Sequence, residues 1–131
     1  MKKDIWEERW KRIPETIQAC SMNGHSSRIT YHPDQIYEVS DKGRVRNRIT
    51  KQILSVRDRN GYSQVTIRGR YEYHFMNENW RTSLSKPINL SVGRLVAATY
   101  IFGNNLKSWY IVKHIDKNSH NNSLENLDIK Y

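Results

Sequence analysis

The chain has 131 residues, enough for one small domain with a modest core. Only 37% of them are hydrophobic, no run approaches the length of a membrane span, and the opening MKKDIWEERW lacks the apolar centre of a signal peptide. No membrane partner is therefore expected, and the lone Cys20 excludes an internal disulfide and fits a reducing cytoplasm. The formal charge is +9, and residues 42 to 70 hold nine basic side chains against one acid, Asp58. The rest of the chain is almost balanced, so the excess is one block, for which a polyanion is the natural partner. A solvated face that only aids solubility is the alternative.

In chain order, residues 4 to 12 (DIWEERWKR) predict a short helix, with Trp6, Trp10 and Ile13 at i, i+4 and i+7 and Pro14 as its stop. Residues 15 to 33 are polar and read as a loop or insertion. Gln35 to Val39 predicts a strand, Asp41-Lys42-Gly43 a tight turn and Arg44 to Ile49 its partner. Alternation sends Arg44, Arg46 and Arg48 to one face. Gln52 to Val56 predicts a third strand. Asn60-Gly61 is a two-residue hairpin signal, because both central residues must accept positive φ. The strand Tyr62 to Gly69 puts Ser63, Val65 and Ile67 on one side and Tyr62, Gln64, Thr66 and Arg68 on the other; Tyr71 to Phe75 reads as another strand pairing back.

Residues 76 to 88 read as a loop. Ser91 is placed to cap a helix to about Phe102, with Val92, Leu95, Val96, Thr99 and Tyr100 as its buried face and Gly103 as its stop. Trp109 to Ile115 is β-rich, and Leu127 to Tyr131 reads as a last short strand. The fold class expected is α+β: a small, mostly antiparallel sheet with one or two helices. Residues 1–131 form a single compact unit, with a strand-rich nucleic-acid-binding part over 1–90 and a second part over 91–131.

Two constellations carry chemistry. Lys42, Arg44, Arg46, Arg48, Arg57, Arg59, Arg68 and Arg70, with Tyr62 and Gln64 on the polar face, make a basic ribbon suited to phosphates and groove edges. Six to eight phosphate contacts give a log–log salt slope of roughly −5 to −7. The second is HIDKNSHNNSLENLDIKY, from His114 to Tyr131. A His at a strand end is a candidate general base, and hard oxygen donors nearby are candidate ligands. An Asn-rich loop that serves only turn geometry is the competing reading. Cys20, His25 and His32 are too uneven a set to predict zinc. His74 reads as a strand residue and His120 as a solvated one.

The order of the pieces resembles the HNH homing endonucleases of phages and mobile introns. The carriers of the resemblance are Trp10-Lys11-Arg12-Ile13-Pro14, the stretch IYEVSDKGRVRN from Ile36 to Asn47, Gly61-Tyr62, the helix GRLVAATYIF, and His114, Asp116, Asn118, Asn121, Asn122, Asn126 and Leu127. The resemblance implies a strand–strand–helix (ββα) metal fold at the C-terminal part. It makes His114 the general base, Asn126 its orienting partner, and Asp116, Asn118 and Asn122 shapers of the loop. It implies double-stranded DNA as partner and Mg²⁺ or Mn²⁺ as cofactor of an active nuclease. Three departures stand against activity: Lys113 precedes His114 where many members have a metal-binding Asp, Gly93 replaces the helix's usual His, and the sequence ends at Tyr131, where a metal-holding helix is expected. The expectation is thus a DNA-binding protein with an incomplete ββα-metal part and an impaired nuclease site, with no metal ligand assigned. An active metal-dependent nickase is the alternative, and a phage-type protein that binds another protein is a third.

Overall fold

The computed structural model describes residues 7–20, 27–75, 81–82, 84–108 and 110–131. Strands dominate, in three antiparallel groups, and the class is α+β. The first sheet joins β1 (Trp10–Arg12), β4 (Tyr37–Ser40) and β5 (Val45–Asn47) in the order β1-β4-β5. The second is built on the 14-residue strand β7 (Tyr62–Phe75). One edge of β7 carries β6 (Arg57–Arg59) and β3 (Ser27–Pro33), the latter extended by β2 (Ile17–Cys20). The other carries β8 (Arg81–Thr82) and β9 (Lys86–Ser91). The third is the hairpin of β10 (Ile111–His114) and β11 (Leu127–Lys130). Among the described residues no helix is long and apolar enough to cross a membrane.

Local signals set several of these elements. The turn after β4 has Gly43 at φ +86°, and Ser40 Oγ accepts from the backbone N–H groups of Lys42 (3.2 Å) and Arg44 (3.0 Å). Asn60 and Gly61 adopt φ of 53° and 86°, the pair of left-handed residues that a type I′ hairpin needs. Ser91 caps α1 (Val92–Ala97) by accepting from Arg94 N at 3.3 Å, a contribution of about 1 kcal/mol. The helix continues through a π-helical turn, Ala98–Phe102, and stops at Gly103, φ +60°. Thr99 Oγ1 donates back to the Leu95 carbonyl at 2.7 Å, which satisfies a hydroxyl in an otherwise apolar face.

One apolar cluster draws on both large sheets and the helix: Ile13 and Ile17, Val39 and Val45, Val65 and Ile67, Ile88 and Leu90, Leu95 and Val96, with Leu106 and Leu127 from the C-terminal third. In β7 the inward set is Ser63, Val65, Ile67 and Gly69, and the outward set is Tyr62, Thr66, Arg68 and Arg70. Tyr100 ties the first sheet to this core. Its hydroxyl meets the carbonyls of Arg9 (2.9 Å) and Val39 (2.7 Å), and burial pushes its pKa up to about 12.

The structure corrects five expectations. Trp10–Arg12 is not helical; it is a strand in register with Ser40, Val39 and Glu38, because the paired edge of β4 satisfies its backbone. Residues 4 to 6 of that expected helix, Trp6 included, lie outside the described residues. The expected loop 15–33 contains the β2–β3 hairpin, whose strands extend the outer half of β7. The predicted strand Gln52 to Val56 reduces to a single bridge, Arg46 to Ile53, and pairing resumes at Arg57. Tyr62–Phe75 is one strand rather than two. Gly69 does not end it, since a Cβ there would stand 2.7 Å from the His32 carbonyl oxygen, so the glycine serves close approach of β3. Within the expected loop 76–88, residues 81–82 and 86–88 are extended; 76–80 and 83 lie outside the described residues.

Candidate nucleic-acid interface and histidine site

The basic block divides between the two large sheets. Arg44, Arg46 and Arg48 leave β5 and its flanks toward groups of their own chain. Arg44 binds the Glu8 carboxylate, with its Nε at 2.9 Å, and this bond holds the Glu8 carboxyl below its ordinary range. Arg46 Nε donates to Glu38 at 3.0 Å, and its guanidinium lies 3.9 Å from the Trp10 ring centroid, a contact worth about 0.5–1 kcal/mol or more. Arg48 binds the Gln35 carbonyl through Nε (3.3 Å) and Nη2 (3.2 Å). These three, with Lys42 on the preceding turn, belong to the β1-β4-β5 sheet and its flanks, whereas the remaining arginines lie on β6 and β7. The sequence shows their alternation but not Glu8 and Glu38, which the segment before β1 and strand β4 bring.

The second group stays open. Arg57, Arg59, Arg68 and Arg70 are exposed, and register sets Arg57 beside Gln64 and Arg59 beside Tyr62. Cross-strand partners share a face, so Arg57, Arg59, Tyr62, Gln64, Thr66 and Arg68 form one outward surface, continued by Asn89 of β9 opposite Thr66. Arg57 Nη2 donates to Asn89 Oδ1 at 3.0 Å and Thr66 Oγ1 at 3.3 Å, which orients its guanidinium along the sheet. Among the described residues Gln64 Oε1 is buried without a hydrogen-bond partner, a cost of about 1–3 kcal/mol that a folded chain seldom leaves uncompensated.

Beside this surface opens a cleft of about 290 Å³, lined by Tyr62, Ser91, Arg94, Tyr110, Ile111, Val112 and His114. Tyr62 belongs to both the basic face and the cleft. Arg94 braces the wall: it donates to the carbonyls of Gln18 (2.8 Å), Tyr110 (2.8 Å) and Lys107 (2.7 Å), fixing β2 and the approach to β10 against α1.

His114 ends β10. Its Nε2 donates to Asn122 Oδ1 at 2.8 Å. Asn126 makes other contacts: its Nδ2 donates to Asp116 Oδ1 (2.9 Å) and the Asn121 carbonyl (2.8 Å), and its Oδ1 accepts from Asp116 N (3.1 Å). The amide that meets His114 is therefore Asn122, and Asn126 binds the loop together. Asp116 also accepts from Asn121 Nδ2 and Asn118 N, both at 2.8 Å. Those bonds, Asn121 first, then Asn118 and Asn126, hold its carboxyl below the usual range. Lys113 is exposed, in register with Asp128, and alternation directs it away from the His114 side of the strand.

The loop after His114 rests on the β4–β5 turn and the β6–β7 hairpin. Leu124 N donates to the Asp41 carbonyl at 2.8 Å. Ser119 donates to the Gly61 carbonyl, and His120 Nε2 donates to Asp58 Oδ1 at 2.7 Å. His120, expected to be solvated, is half-exposed and paired with an acid. Of the uneven Cys20, His25, His32 set, His32 Nε2 is engaged by Glu72 at 2.9 Å. His25 and the side chains of Cys20 and His74 lie outside the described residues.

Three findings bear on kinship. Residues 8–68 match the NUMOD4 motif, found in N-terminal regions associated with homing endonucleases. The fold matches a structure titled "DNA binding and cleavage by the HNH homing endonuclease I-HmuI" with a TM-score of 0.51 and 25% identity. That match covers 72% of this chain and 45% of that protein, so the chain spans less than half of its length. No curated protein sequence matches the chain. The motif covers β1 to the first half of β7, and the structural match extends the likeness beyond it.

Proposed function

We propose that this protein binds duplex DNA through the outward face of β6, β7 and β9, and that its His114 centre is impaired as a metal-dependent nuclease. The observation that carries the reading is the continuity of Arg57, Arg59, Arg68 and Arg70 with Tyr62, whose ring borders the cleft containing His114. A two-stranded ribbon fits a major groove, and arginines along it neutralise phosphates and read guanine edges. A backbone held on that face runs toward the histidine, as a nuclease ancestry requires. The relative's title ascribes DNA binding and cleavage to I-HmuI; DNA binding is the part carried to this chain.

The impaired centre rests on donor chemistry. Phosphodiester hydrolysis at such a site needs a cation on the phosphate and the leaving oxygen. Lys113 stands where the family resemblance expects a carboxylate, and it leaves the strand on the side opposite His114. Both Asp116 oxygens are committed to amides of its own loop. Among the described residues no three His, Cys, Asp or Glu gather into one group. These donors do not fit Mg²⁺ or Mn²⁺, so no step is assigned to a metal here. An active nickase remains the alternative class, with carboxylates drawn from outside these residues.

Supercoiled plasmid with Mg²⁺ or Mn²⁺ separates the two. The proposal expects tight binding without nicking; nicking that His114→Ala abolishes overturns the impaired centre. A protein target in place of DNA, the third reading, is recognised by duplex binding that is absent or independent of salt.

A further inference from the structure

Asn122 is 5% exposed and lies between glycines from two separate elements. A Cβ on Gly43 would stand 2.9 Å from both the carbonyl carbon and oxygen of Asn122. That contact is with backbone, so no side-chain rotation relieves it. A Cβ on Gly93, in α1, would stand 2.8 Å from Asn122 Oδ1 and 3.6 Å from His114 Nε2. The bond from Leu124 N to the Asp41 carbonyl, 2.8 Å, fastens the same segment to the same turn. Asn122 therefore has a socket, with the β4–β5 turn against its backbone and α1 against its side-chain oxygen.

We infer that Asn122 is the positioning residue of His114, and that Gly43 and Gly93 are the two walls that set it. The inference deepens the proposed function, since it rests on His114 facing DNA in the cleft. Its chemical consequence is specific. A carbonyl oxygen only accepts, so Nε2 of His114 carries hydrogen and the neutral ring keeps its lone pair on Nδ1. Nδ1 is then the nitrogen that accepts a hydrogen bond or proton from whatever enters the cleft. The same arrangement gives Gly93 a reason. Where the family helix usually has His, any side chain in this chain enters the space of Asn122 Oδ1. A residue of the N-terminal motif, Gly43, thereby acts on the histidine through one intermediary and without touching it.

The test is nuclear magnetic resonance of the full chain with ¹⁵N-labelled histidine, without DNA or metal. The wild-type protein is expected to show a His114 Nε2–H proton protected from solvent exchange. Asn122→Ala and Gly93→Ala are each expected to lose that signal, while Asn122→Asp keeps it, because a carboxylate also accepts from Nε2. His32 and His120 serve as internal controls, and their signals stay unchanged in all three variants. Should Asn122→Ala fail to fold, Gly93→Ala decides alone, since it adds one methyl group in a helix that favours alanine. A wild-type His114 protonated on Nδ1, or an Nε2–H signal that survives in Gly93→Ala, overturns the inference. The readout needs neither binding nor cleavage, so its failure leaves DNA binding standing, and a failure of DNA binding leaves this result intact.

Discussion

Gly43 and Gly61 share φ +86° and differ in surroundings, which makes them a matched pair. A Cβ on Gly61 meets nothing within 4 Å, whereas one on Gly43 meets the Asn122 backbone at 2.9 Å. Gly61→Ala therefore carries only the left-handed backbone penalty, about 1–2 kcal/mol. Gly43→Ala carries the same penalty and must also move the 122–124 segment. That move forfeits the bond from Leu124 to Asp41 and loosens the bond from His114 to Asn122, each worth about 1 kcal/mol. The expected losses are then about 1–2 and about 3–4 kcal/mol. Unfolding entropy of about 2 cal/mol/K per residue makes 1 kcal/mol roughly 4 °C for a chain this size. Thermal unfolding is expected to fall by about 4–7 °C for Gly61→Ala and about 11–15 °C for Gly43→Ala. Equal shifts, within about 2 °C, refute the claim that the turn seats Asn122.

Three more outcomes follow from the same geometry. Alanine at Arg57, Arg59, Arg68 or Arg70 is expected to weaken duplex binding and to flatten the salt slope by about one unit each; Arg46→Ala, whose guanidinium is held by Glu38 and Trp10, is expected to lower stability and leave that slope unchanged. Asn126→Ala removes three loop bonds of a buried amide and is expected to cost about 1–3 kcal/mol in denaturant unfolding, with the Asp116 amide shift moving most. Asp116 is held below its ordinary value by Asn121, Asn118 and Asn126. The stabilisation this gives is present above the ordinary carboxylate range and is lost as pH falls through the lowered value. Amide shifts of Asn118, Asn121 and Asn126 are expected to titrate together in that acidic window; shifts that move only near neutral pH contradict the assignment.

Local chemistry made part of the fold legible. Asn60-Gly61, Asp41-Lys42-Gly43 and Ser91 fix their turns and cap through their own backbone needs, and the alternation in Tyr62–Arg68 names its buried side directly. Trp10–Arg12 and Ser27–Pro33 were not legible as strands, because what makes them strands is a partner tens of residues away, and Ile17–Cys20 is a strand through its pairing with Ser27–Pro33. Gly69 looks like punctuation in one dimension and is a crossing point in three. The site divides in the same way. That arginines alternate is visible in the sequence; that Glu8 and Glu38 engage two of them, and leave the β6–β7 set open, is decided by strand pairing. That His114 needs an amide is chemistry; that Asn122 provides it depends on how the loop curls over Gly43. The nearest sequence sign was Gly93 itself, a small residue in a helix position where the family resemblance expects a large one.

The most direct test of the account is duplex DNA binding measured across salt concentration, for the wild-type chain and for a combined Arg57→Ala, Arg59→Ala and Arg68→Ala variant. The account predicts a steep fall of affinity with salt in the wild-type chain and a slope shallower by about three units in the variant. No binding at about 50 mM salt, or a slope that the three substitutions leave unchanged, contradicts it.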